Sequence, residues 1–217
     1  MTLQLSERST IILDLDDTIY PTKSIPNEVI QPVFNKLRSQ LGEISEELFT
    51  AMKRELWHSP IDIVGAKYNF PLERFTSFYD DMEKLQLKGT GIKLFEDYRY
   101  VRSLPFRKYL VTTGLHKYQY AKIEALGIEE DFITIHIDDP RSQPRKGKLG
   151  IIKDIIASEA LDPKEVWVIG DNPSSELSAG HELGCVVVQR ASTSKPRYDQ
   201  ANLHINSFHE LSTHTSI

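Results

Sequence analysis

With 217 residues the chain is long for one compact domain and short for two, which predicts a core domain carrying a sizeable insertion. Hydrophobic residues at 40% and charged ones at 26% suit a globular protein with a well-filled core. The net charge of −5 argues against a nucleic-acid polymer or an anionic membrane surface as partner.

The N-terminal residues are polar through Arg8, and the first apolar run, Ile11-Ile12-Leu13, is short and ends in acids. It reads as neither a signal peptide nor a membrane span, but as a buried strand over 10–14. Straight out of it come Asp14-Leu15-Asp16-Asp17-Thr18. Side chains alternate along a strand, so Asp14 and Asp16 leave on the same side. Two carboxylates held together at a buried strand end repel each other, which is tolerable beside a cation or with one of them protonated. Either condition suits an enzyme in which one carboxylate attacks and the other manages a proton. Turn and cap chemistry accounts for Asp17 and Thr18 but not for the acid pair.

From 20 to 104 the chain shows helical patterns and no good strand. Asn27 to Leu41 stops at Gly42, and Ser45 caps the next helix with Glu46 and Glu47 in its first turn, where the dipole favours anions. Ser59-Pro60 and Phe70-Pro71 place prolines at helix starts. Trp57, Tyr68, Phe70, Phe75, Phe78 and Tyr79 supply apolar bulk for a small bundle. Residues 20–104 are therefore expected as a helical domain inserted into a core of 1–19 and 105–217. Beyond it, short apolar runs predict strands over 108–112, 133–137, 166–170 and 185–189, with a weaker one over 203–206. Helical patterns over 116–126, 149–160 and 174–183 alternate with them. That rhythm is the signature of an α/β fold, a parallel sheet with helices on both faces. Cys185, alone of its kind, reads as a small buried hydrophobe, and with no disulfide framework possible a cytoplasmic location is expected. The polar end, His209 to Ile217, is expected to fray.

In such a sheet ligands bind outside the carboxyl ends of the strands. After the second strand come Thr112-Thr113-Gly114, suited to an anion at a helix N-terminus. After the third come Asp138-Asp139-Pro140 and the basic stretch Arg145-Lys146-Gly147-Lys148. After the fourth come Gly170-Asp171-Asn172, with Glu176 beyond. Together these place acids, hydroxyls and a lysine at one rim, a divalent-metal site beside a phosphate site; Mg²⁺ favours such hard oxygen ligands. Lys146 is the lysine expected at the phosphate, because Gly147 after it lets the backbone approach. The seven histidines show no metal-ligand spacing on one helix face.

These segments resemble, in order, the four motifs of the haloacid-dehalogenase superfamily of phosphohydrolases. Asp14 to Thr18 matches its Asp-x-Asp-x-Thr, Thr112 its second-motif hydroxyl, a lysine of Lys146/Lys148 its third motif, and Gly170-Asp171 with Glu176 its acidic fourth. Glu176 stands where a second Asp is usual. The resemblance implies a Rossmann-like core with an inserted helical cap. It implies Asp14 as a nucleophile forming an aspartyl-phosphate and Asp16 as acid and then base. Mg²⁺ would be held by Asp14, the backbone carbonyl of Asp16, and Asp171, with Glu176 acting through water. Thr112, Thr113, Gly114 and Lys146 would bind the phosphoryl group of a small phosphorylated metabolite. Tyr20-Pro21 is similar to the pyrimidine 5′-nucleotidase branch, while phosphoglycolate or a sugar phosphate fits the same motifs. Asp16, Asp171 and Glu176 count against a dehalogenase; a phosphotransferase of the same fold, a receiver domain and a non-catalytic binding module are the competing readings. A monomer or homodimer is expected.

Overall fold

The computed structural model describes residues 3–215 except 57, 58, 60, 193 and 194. Six strands, β1 (Thr10–Leu13), β2 (Arg107–Thr113), β3 (Thr134–Asp138), β4 (Val166–Gly170), β5 (Val186–Arg190) and β6 (Leu203–Ile205), form one sheet in the order β3-β2-β1-β4-β5-β6. Every pairing is parallel. All six expected strands are present, with ends shifted by at most one residue.

The apolar runs are near-continuous because the central strands are covered on both faces. On β1, Ile12 packs with Val111, Val168, Ile152 and Ile155 on one face. Its neighbours Ile11 and Leu13 belong to the larger cluster on the other face, with Leu110, Trp167 and Ile169. The helices α6 (His116–Leu126), α7 (Gly147–Ser158) and α8 (Ser178–Glu182) connect the later strands. Gly127 ends α6 in the left-handed conformation, φ 62°.

Between β1 and β2 run α1 (Asn27–Leu41), α2 (Glu46–Leu56), α3 (Ile61–Lys67), α4 (Thr76–Met82) and α5 (Tyr98–Ser103), with no named strand among the described residues. Ser45 Oγ accepts from the Leu48 amide at 3.2 Å, the cap its position predicts. Phe34 and Phe78 join α1 to α4, ring centroids 5.8 Å apart. Trp57 and Pro60 lie outside the described residues. The last helix of the stretch, α5, docks on the sheet-bearing side: Tyr98 donates to Asp131 Oδ2 at 2.9 Å and its ring meets Phe208. Among the described residues no helix is long and apolar enough to cross a membrane.

The C-terminal segment is ordered through Thr215, not frayed. A 3₁₀ helix, Phe208–His214, carries a Ser207/Glu210 capping box and buries Phe208 and Leu211. Asp97 ties it down, accepting from Arg190 Nη1 at 3.0 Å, Arg190 Nη2 at 3.2 Å and the Phe208 amide at 2.9 Å. Two apolar residues three apart, masked by polar neighbours, were enough to seat what composition alone marks as a loose tail.

Burial raises the Asp97 pKa, but the Arg190 hydrogen bonds and the Phe208 amide outweigh it and hold the carboxyl below its ordinary value. Its contribution to stability is therefore complete above the unfolded carboxyl pKa of ~3.9 and is lost as pH falls through the folded value. Asp97→Asn leaves Arg190 buried without its partner and is expected to cost about 3 kcal/mol at pH 7, with a flatter loss of stability below pH 4. Urea denaturation from pH 7 to pH 3 measures both; parallel curves for the two proteins would contradict this assignment.

Candidate active site

At the carboxyl end of β1 the Asp14 amide donates to Ile169 O at 3.0 Å, so the chain is still held by the sheet where the first acid leaves it. Asp14 and Asp16 line one cavity of about 590 Å³, together with Thr112, Asp171 and Glu176. Asp17, which also lines the cavity, is tied into the turn. Its backbone is left-handed, φ 56°, and its Oδ1 accepts from the Thr22 amide at 2.9 Å and the Thr22 hydroxyl at 2.8 Å.

Asp14, Asp171 and Glu176 are all buried, and their carboxylate oxygens lie within 4.8 Å of one another. Glu176 arrives through a wide helical turn, Pro173–Leu177, in which Ser175 has non-helical φ −131° and ψ −111°. Gly170 makes room for it: a Cβ there would stand 2.2 Å from Glu176 Oε1. Glu176 Oε1 accepts from the Asn172 amide at 2.7 Å. Lys148 Nζ donates to Asp14 Oδ1 at 2.6 Å and to Glu176 Oε2 at 2.7 Å.

One lysine does not neutralise three carboxylates. Burial pushes the Asp14 pKa up to about 7, against the pull of Lys148 and with the help of Glu176 and Asp16. Burial, Asp14 and Glu176 push Asp171 up to about 8. Asp171 Oδ2 is buried with no hydrogen-bond partner among the described residues. A hard divalent cation fits this arrangement, since it satisfies the orphaned oxygen and supplies the missing positive charge with the ligand type it prefers.

The lysine that reaches Asp14 is Lys148, which corrects the expectation of Lys146. The buried residues of α7 are Lys148, Ile152 and Ile155, spaced by four and three, one helical stripe that faces the sheet. Lys146 lies off that stripe at the N-cap and pairs with exposed Asp154 at 2.6 Å. Its side chain is 65% exposed against 6% for Lys148. Arg145, the other cation of the basic stretch, is held by Asp138 through Nε and Nη2 at 2.9 and 2.8 Å and reaches Asp62 of α3 at 3.2 Å.

Thr112 and Thr113 close β2, and both line the cavity with Gly114. Thr112 Oγ1 accepts from Gln119 Nε2 at 2.6 Å, and Thr113 Oγ1 donates to Asp138 Oδ2 at 3.3 Å. Gly114, φ 153°, is required because a Cβ would meet the Gln119 side chain at 2.9 Å.

Asp16 has partners that motif reading missed. Lys122 Nζ and the Tyr20 hydroxyl donate to its Oδ1 at 2.7 and 2.5 Å, and Gln119 Nε2 donates to its Oδ2 at 2.9 Å. Burial raises the Asp16 pKa, yet Lys122, Gln119 and Tyr20 together hold it below the usual value. The signal was present on α6: Gln119 and Lys122 sit at i and i+3 of the stripe completed by Ile123 and Leu126, polar residues on a buried face.

A model of the haloacid dehalogenase-like hydrolases matches residues 11–189. The chain belongs to this family. Among solved structures, the magnesium-bound HAD-family protein YfnB of Bacillus subtilis is 15% identical, with TM-score 0.68 over 96% of this chain and 98% of that one. A HAD phosphatase of Thermococcus onnurineus is 18% identical, with TM-score 0.63 over 94% and 96%. The protein CbbY of Rhodobacter sphaeroides, in complex with phosphate, is 19% identical, with TM-score 0.59 over 94% and 96%. At these identities the likeness is one of fold. No curated protein matches the sequence.

Lys148→Ala removes the positive charge between two buried carboxylates and is expected to lower kcat by roughly 10²–10³-fold, the scale of losing one charge-stabilising donor. Lys146→Ala is expected to stay near wild type. Steady-state kinetics on the two variants decides between them, and the reverse ranking would return the role to Lys146.

Proposed function

We propose that this hydrolase is a magnesium-dependent phosphomonoesterase acting on small phosphorylated metabolites through an aspartyl-phosphate at Asp14. The observation that carries the reading is the Asp14 carboxylate set against Lys148, Asp171 and Glu176 at the end of β1, with Asp16 in the same cavity. Asp14, the backbone carbonyl of Asp16, and Asp171 would hold Mg²⁺. When bound, the ion neutralises the buried carboxylates and draws charge from the phosphoryl oxygens. Lys148, Thr112, Thr113 and the Gly114 backbone bind those oxygens from the other sides.

An Asp14 carboxylate oxygen attacks phosphorus, the ester P–O bond breaks, and Asp16 gives its proton to the departing alkoxide. Water then attacks the phosphorus of the aspartyl-phosphate. Its proton passes to Asp16, the P–O bond to Asp14 breaks, and inorganic phosphate leaves with both carboxyls restored. Lys122, Gln119 and Tyr20 favour the ionised Asp16 that the second step uses as base. An arriving phosphate dianion raises the Asp16 pKa, because a like charge close by disfavours the carboxylate. That rise supplies the acid needed first.

The helices α1 to α4 of the stretch 20–104 act in this reading as a cap over the core of 1–19 and 105–217, while α5 stays docked on the core. Arg145 to Asp62, and Arg141 to Glu83, tie the loop between β3 and α7 to it.

Asp14→Asn is expected to abolish hydrolysis of an alkyl phosphate, and excess chelator to do the same reversibly. Asp16→Asn is expected to retain magnesium binding and lose roughly 10²–10⁴-fold in kcat with an alkyl leaving group. Turnover by Asp14→Asn at the wild-type rate would sink the proposal. Equal loss of metal binding and rate in Asp16→Asn would mean that its side chain is a ligand.

A further inference from the structure

The half of the cavity away from Asp14 differs in kind from the phosphate half. Ile30 and Phe34 of α1, Ile61 and Ile63 of α3, and Phe78 and Met82 of α4 line it. Among the described residues, the polar side chains interspersed with them are the hydroxyls of Ser59, Tyr79 and Tyr118, with the Arg145–Asp62 ion pair at the edge of α3. Ile63 is 56% exposed, a large apolar side chain left in solvent at the lining of a cavity. Its place in the cavity lining, beside Ile61, Phe78 and Met82, is what sets it apart from the exposed Ile133 and Leu48, and a bound apolar group would cover it.

Among the described residues, the cations that line the cavity are already directed at acids. Lys148 bridges Asp14 and Glu176, and Lys122 pairs with Asp16. Arg145 is held between Asp138 and Asp62. Lys195 acts electrostatically on Asp171, at the metal end. A substrate bearing a second phosphate or a carboxylate would set that charge against Ile, Phe and Met, or would have to draw Arg145 away from Asp138 and Asp62. Burying an unpaired charge is strongly unfavourable. A sugar, with its many hydroxyls, would leave most of them unsatisfied on the same wall.

From these features we infer that the group esterified to phosphate is uncharged and apolar, the size of an aromatic ring or a short branched chain, and lies against α1, α3 and α4. The inference rests on the phosphomonoesterase reading and names its substrate class.

The test is a panel of alkyl phosphates, whose leaving alkoxides are of similar basicity. Benzyl phosphate and 3-methylbutyl phosphate are compared with phosphoglycolate, glucose 6-phosphate and uridine 5′-monophosphate, using the full chain with Mg²⁺. The apolar esters are expected to show kcat/KM roughly 10²-fold higher, with the difference in KM, the scale on which an apolar pocket discriminates. Independently of turnover, calorimetry is expected to show benzylphosphonate binding more tightly than phosphonoacetate. Ile63→Lys, a surface change compatible with folding, is expected to narrow both preferences about tenfold. A higher kcat/KM for any of the three polar esters, or tighter binding of phosphonoacetate, would overturn the inference and leave the phosphatase reading standing. No turnover of any ester, with benzylphosphonate still favoured, would uphold the pocket's preference and overturn the reaction. If no ester turns over and neither phosphonate binds, both fall.

Discussion

Three buried carboxylates within 4.8 Å of one another, two of them hydrogen-bonded to Lys148, are the constraint around which this structure is organised. In a low-dielectric interior such a cluster is unstable unless positive charge is brought to it. The fold meets that demand with parts drawn from distant stretches of chain. Asp14 comes from β1, Asp171 and Glu176 follow β4, and Lys148 comes from α7, 134 residues from Asp14. Parallel topology makes this possible, because β1 lies between β2 and β4 and their carboxyl ends open on one rim. The accommodating details serve the same end. Gly170 leaves the space that Glu176 fills, and the irregular turn at Ser175 aims Glu176 inward.

The core was legible because its strands are buried on both faces and read as continuous apolar runs. The acid motif, Thr112 and Asp171 were legible because residues after such strands fall at a predictable rim. The lysine was misread for a physical reason. Proximity to Gly147 was weighed above helix periodicity, although the stripe Lys148, Ile152, Ile155 points one way and Lys146 the other. Gln119 and Lys122 escaped notice because they make no motif. Their meaning comes from Asp16, more than a hundred positions earlier in the chain. The order of the C-terminal segment is not visible in its composition, because it comes from the burial of Phe208 and Leu211 against distant parts of the chain. In each case the tertiary partner, not the local sequence, carried the information.

The two acids of the first motif have different surroundings, and that difference matters for the chemistry proposed. Asp14 faces Lys148 and further carboxylates, while Asp16 faces Lys122, Gln119 and the Tyr20 hydroxyl. Two carboxyls two residues apart are thus held in environments that pull them apart in character, the arrangement by which one site supports both a nucleophile and a proton carrier. Apolar side chains of α1, α3 and α4 line the same cavity, so the acids and the apolar wall come from separate parts of the chain.

The carboxylate cluster calls for a cation, and isothermal titration of Mg²⁺ into the full chain tests that demand directly. A single magnesium ion per chain is predicted to bind wild type and Lys146→Ala alike, and binding is predicted to be lost in Asp171→Asn. Wild-type protein that takes up no magnesium, or an Asp171→Asn variant that binds it as tightly, would contradict the account.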